Sequence, residues 1–185
     1  MNISWLKNPL TIPLLLIITG VVLYLYLSGF FSGPLVLEEK TFPLGDKTIL
    51  LLTPKGSEKY IPDPTQQIVS YGKGSKDIPM VTVSLLPQPP FPFSLDCKEL
   101  KKPIIIVANI TSLNKNVDVC EDPLDVGVPP EYKGYKEFGT SGFKVENTLE
   151  GKLYMIQVAV REDYFKTDEG MKNVKQIFES FKIIQ

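Results

Sequence analysis

The sequence predicts an α+β fold: an N-terminal transmembrane helix, then a mostly antiparallel β-sheet domain packed against a C-terminal amphipathic helix. Three observations predict it. No charged residue falls between Leu10 and Phe31. From Leu35 onward, apolar runs of strand length alternate with turns rich in Gly and Pro. Near the C-terminus the apolar period lengthens from that of a strand to that of a helix.

A helix over the uncharged run would be about 33 Å long, against a bilayer core of about 30 Å. Lys7 and the α-amino group of Met1 are the only positive groups before the run, and Glu38, Glu39 and Lys40 are the first charges after it. The positive-inside rule then puts residues 1–9 in the cytoplasm, 10–31 in the membrane as a signal anchor, and 32–185 outside as one domain. Trp5 would sit at the inner interface, with Tyr24, Tyr26, Phe30 and Phe31 crowding the outer half. A cleaved signal peptide is the competing reading. The run is longer than a signal h-region, and no A-x-A-like site follows it. No Cys stands near its end, which excludes a lipoprotein site. The expected localisation is therefore a single-pass membrane protein with an extracytoplasmic domain.

Composition narrows the chemistry. With 185 residues, a formal net charge of −1 and 22% charged residues, the chain has no long-range field for nucleic acid. There is no His, which removes Ser-His-Asp and Cys-His machinery and the commonest metal ligand. The 16 prolines fall outside helix-like patterns and suit strands joined by irregular loops.

In order along the chain, residues 35–42 and 47–53 read as strands, with Gly45-Asp46 turning between them. Residues 54–64 read as a Pro-rich loop. Residues 67–71 and 80–86 follow as strands, the second with Val81, Val83 and Leu85 alternating with Thr82 and Ser84. Pro87-Gln88-Pro89-Pro90-Phe91-Pro92-Phe93 reads as a rigid loop or, in the alternative, a polyproline ligand. Residues 103–110 hold the strongest strand, Ile104-Ile105-Ile106-Val107. Segments 134–140, 143–150 and 153–162 read as three more strands in hairpin order. The last alternates Tyr154, Ile156, Val158 and Val160 against Met155, Gln157, Ala159 and Arg161, one buried face and one mixed. Met171, Val174, Ile177, Phe178 and Phe181 then recur at helical spacing, with Thr167 or Asp168 as N-cap, Asp168 and Glu169 in the first turn and Lys182 in the last.

Cys97 and Cys120 are the only cysteines, and a disulfide between them would close a loop of about 23 residues, contributing on the order of 3 kcal/mol. No C-x-x-C motif points to redox chemistry instead. Asp118, Glu121, Asp122 and Asp125 cluster around Cys120. They read as a solvated acidic loop. Their alternatives are Ca²⁺ ligation, although the spacing matches no EF-hand, or a carboxylate pair of an envelope enzyme. Tyr71-Gly72-Lys73-Gly74-Ser75-Lys76 lacks the spacing of a phosphate loop, and Asn109-Ile110-Thr111 fits a glycosylation acceptor. No catalytic residue, metal ligand or cofactor is expected.

The C-terminal run Gly151-Lys152-Leu153-Tyr154-Met155-Ile156-Gln157-Val158, then Tyr164-Phe165 and a helix ending Ile177-Phe178-Glu179-Ser180-Phe181-Lys182, resembles the end of the PsbP/Mog1-like superfamily. The resemblance covers about 35 residues and implies a sandwich around an antiparallel sheet, in a family of assembly and binding modules without shared catalytic residues. The expectation is a membrane-anchored binding or assembly module acting on an envelope protein partner, with no nucleic acid involved.

Overall fold

The computed structural model describes residues 11–27, 35–60, 67–72, 80–87, 96–122, 135–145 and 152–184. The chain divides into two units, Met1–Pro34 and Leu35–Gln185.

In the first unit the described helix, α1, runs Thr11–Leu27. Its 17 residues extend about 26 Å at about 1.5 Å each, short of a bilayer core of about 30 Å. No helix among the described residues is long and apolar enough to cross a membrane. This corrects the expected span over 10–31, and with it the transmembrane part of the fold class and the single-pass localisation. The lack of charge misled because it bounds an apolar stretch, whereas a crossing needs that stretch to be one sufficiently long helix. Leu16, Ile17, Val21 and Val22 are exposed on α1. Trp5, Phe30 and Phe31 lie outside the described residues.

The second unit is mostly antiparallel sheet. β1 (Leu37–Leu44) and β2 (Lys47–Pro54) form a hairpin in which Leu44 pairs with Lys47. Its two-residue turn puts Gly45 at φ +65°, the left-handed backbone that the first position of a type II′ turn requires. β3 (Glu58–Tyr60), β4 (Ile68–Gly72), β5 (Met80–Pro87), β6 (Ile104–Ile110), β7 (Lys115–Asp122), β8 (Tyr135–Thr140) and β9 (Lys152–Arg161) build one seven-stranded sheet of order β3-β4-β5-β9-β8-β7-β6. Every neighbouring pair is antiparallel. A short helix, α2 (Glu162–Phe165), leads into α3 (Asp168–Glu179), and β10 (Lys182–Ile183) returns to pair with β2.

Alternation decides what faces the core. Val81, Val83, Tyr154, Ile156, Val158, Phe138, Val119 and Ala108 share one face of the large sheet. They pack with Phe42, Leu44, Ile49 and Leu51 of the hairpin and with Val174, Ile177 and Phe178 of α3. Phe181 sits among them, its ring edge-on to Phe143 at 5.3 Å and to Tyr154 at 5.5 Å.

Several expectations change in detail. Thr167 is the N-cap of α3, its hydroxyl accepting from the Gly170 N–H at 2.9 Å. Lys182 is not in the last turn, because α3 stops at Glu179 and Lys182 opens β10. The far face of β9 is mixed, with Met155 and Ala159 buried, Gln157 half-buried and Arg161 exposed. The expected strand at 143–150 is, within the described residues, a single bridge from Phe143 to Tyr154. The loop expected over 54–64 contains β3, and the acidic stretch after Asn114 is a strand, β7.

Candidate functional site

Of the residues that the sequence singled out, Cys97, Asn109, Asp118, Cys120, Glu121 and Asp122 lie at one edge of the large sheet, where β6 is the outermost strand, while Tyr71 and Gly72 lie on β4. β6 begins after Pro103, whose ring removes a ladder donor and suits the start of an edge strand. It pairs with β7 from Ile110↔Lys115 to Ile106↔Val119, then slips by one residue so that Ile104 meets Cys120. The slip is a bulge at Ile105, which twists the edge locally. Asn114 takes φ +49° to let the chain reverse between the two strands.

Cys97 and Cys120 form a disulfide with their Cα atoms 5.8 Å apart, a separation within the range such bridges require. Both are buried. The bridge pins the turn over residues 96–101 to β7, and further bonds hold it there. Ser141 Oγ accepts from the Cys97 N–H at 3.3 Å, and the Lys102 N–H donates to the Cys97 carbonyl at 2.9 Å. Lys98 Nζ lies 3.0 Å from an Asp118 carboxylate oxygen, which raises the Lys98 pKa through that hydrogen bond and the Asp118 charge.

The carboxylates around Cys120 do not converge. Asp118 and Glu121 are three residues apart on one strand, so they face opposite sides of the sheet. Each is engaged by a lysine. Glu121 holds Lys136 of β8 at 2.9 Å, and Lys136 also lies 3.8 Å from Glu162, which together raise the Lys136 pKa. Asp122 closes β7 opposite Glu137, and Asp125 lies outside the described residues. Among the described residues no group of His, Cys, Asp or Glu is placed to hold a metal ion. Asn109 of the acceptor pattern donates from Nδ2 to Asn116 Oδ1 at 2.8 Å, and the Thr111 hydroxyl donates to Asn109 Oδ1 at 3.3 Å. Residues 73–76 of the glycine-rich turn and 88–93 of the Pro-rich segment lie outside the described residues.

What the sequence did not single out is the exposure of apolar side chains here. Val107 is 50% exposed, Leu100 44% and Ile104 42%. Val107 pairs with Asp118, and Ile104 with Cys120, on the side of the sheet away from the core. The run of four β-branched residues reads as a buried strand, and only Pro103 just ahead of it signals an edge. The opposite half of the strand is protected: the Asn109 N–H points out of the sheet and donates to Glu179 Oε1 of α3 at 3.0 Å. Among the described residues the edge meets no further strand at Val107, and Glu179 closes it at Asn109. No protein-family model matches the chain, and a search of curated proteins finds no match either.

Proposed function

We propose that this chain is a binding or assembly module that acts on a partner protein, with the open half of β6 as its docking surface. The observation that carries the reading is the exposure of Val107, Ile104 and Leu100 beside β6, which has no further strand on its outer side among the described residues. Such an edge offers main-chain groups for an added strand, while the apolar side chains next to it supply area to bury. The disulfide and the Lys98–Asp118 pair fix the flanking turn, so little ordering entropy is lost when a partner binds. Asp118 and Glu121, each already engaged by a lysine and facing opposite ways, give no support to a rival enzymatic or Ca²⁺-binding role. We also propose kinship with the PsbP/Mog1-like superfamily, supported by the long strand β9 running into α3.

The test is a photo-reactive amino acid placed at Val107 and, as a control, at exposed Lys172 on α3. In the native cell the Val107 probe should trap protein that the Lys172 probe does not. Equal capture at both positions, or none, would sink the reading.

A further inference from the structure

We propose that Lys101 is a recognition residue of the β6 surface, and that the partner segment docking there carries a carboxylate among its apolar side chains. The proposal rests on reading β6 as the docking surface and names the chemistry that the surface selects. Residues 97–102 make one helical turn closed as a Schellman motif. The Lys102 N–H donates to the Cys97 carbonyl at 2.9 Å, and the Lys101 N–H to the Lys98 carbonyl at 3.0 Å. That closure puts Lys101 in the left-handed region, at φ +51°. Glycine is the usual residue there because it has no Cβ to crowd the backbone, so lysine is strained. Strain of this kind clusters at binding sites and persists where the surroundings enforce it, as the Cys97–Cys120 bridge and the Lys98–Asp118 pair do here.

Lys101 is exposed, and among the described residues it makes no ion pair, whereas Lys98 is held by Asp118 at 3.0 Å. Glu99 stands two positions earlier in the same turn, a spacing that does not bring side chains together. A lysine serving only to keep strands off the edge would not need this position, since Lys102 carries the same charge without left-handed backbone. Lys101 lies between Leu100 and Ile104, both exposed, with Val107 beyond on the outer face. From Lys101 to Val107 the chain spans at most about 20 Å, so one short extended segment can touch both. Its carboxylate would meet the ammonium beside apolar contacts, where water screens the pair less than at an open surface. Main-chain donors and acceptors alternate along a strand edge. A peptide matches both, whereas a phosphate headgroup only accepts.

Short random peptides displayed on phage are selected against the full chain and against its Lys101→Gly, Lys101→Glu and Val107→Asp variants. The native chain should select aliphatic or aromatic residues interspersed with Asp or Glu. Lys101→Gly should keep the apolar preference and lose the acidic one, and Lys101→Glu should select Lys or Arg instead. A labelled acidic peptide from the native selection should bind Lys101→Gly about three- to tenfold more weakly. The same variant should melt about 2–4 °C higher, because the strain is relieved, so the weaker binding cannot come from misfolding. A lower melting temperature overturns the strain argument. Peptides without an acidic preference, or with one that survives Lys101→Gly, overturn the role of Lys101. If those peptides are still lost with Val107→Asp, the docking reading stands without it. If no selected peptide depends on Val107, both fall. Vesicles of phosphatidylserine and phosphatidylcholine supply the last arm. Vesicle binding that Lys101→Gly removes, with no acidic peptide selected, would assign Lys101 to a lipid surface and overturn the proposal.

Discussion

Replacing Cys97 and Cys120 together with alanine is expected to lower the unfolding free energy by about 3 kcal/mol. The bridge joins residues 23 apart. Freeing a loop of that length returns about 11 cal/mol/K to the unfolded chain, or about 3.4 kcal/mol at about 25 °C. The other ties on this turn, Cys97 to Ser141 and Lys98 to Asp118, act in the folded state only. They keep the turn near its native place but do not restrict the unfolded chain, so they cannot offset this loss. Urea unfolding followed by circular dichroism would measure it. The midpoint should fall and the slope should rise, because an unlinked denatured chain exposes more surface. The same shift should follow reduction of the native protein. A loss below about 1 kcal/mol would refute the reasoning, as would labelling of either thiol in the intact protein without reductant.

Three further outcomes are expected. Gly170→Ala should cost about 2–3 kcal/mol in the same unfolding assay, because a Cβ there would meet the Tyr164 carbonyl, its carbon at 2.7 Å, where backbone has no room to yield. Thr140→Val should cost about 1–3 kcal/mol, since the buried Thr140 hydroxyl accepts from the Ile156 N–H at 3.0 Å and valine would leave that donor orphaned. Thermal stability should be flat from about pH 6 to 8, because the chain has no His, and should fall on acidification. Hydrogen bonds from Lys166 and Arg161 lower the folded-state pKa values of Glu162 and Asp163. The stability they confer is complete above the ordinary carboxylate range and is lost as pH drops through those lowered values. A melting temperature that changes steeply across neutrality would contradict this.

The antiparallel pattern was legible wherever one strand face met the core and the residues alternated, as in Val81, Val83 and Leu85 or Tyr154, Ile156 and Val158. The N-cap at Thr167 was legible because the hydroxyl acts within one turn, on the Gly170 N–H. β7 was not, because Asp118, Glu121 and Asp122 read as loop, while the charges of Asp118 and Glu121 are balanced by Lys98 and Lys136 from elsewhere in the chain. The mixed far face of β9 was legible too, since the polar Gln157 and Arg161 stand beside Met155 and Ala159 on it. Residue type alone also overstated α1: apolar character was evident, but the extent of the helix was not.

By itself the sequence determined the local facts: periods of alternation, turn residues, a helix cap, and a cysteine pair whose loop length set its stabilisation. Those depend on neighbours within a few residues, or on a count along the chain. Only the tertiary structure decided that β6 is outermost, that its bulge falls at Ile105, and that Glu179 closes its edge at Asn109 while Val107 stays exposed. Strand order and edge protection arise from contacts between residues far apart in sequence. An isoleucine-rich strand has the same local chemistry at the centre of a sheet as at its border, and its neighbours alone make it core or surface.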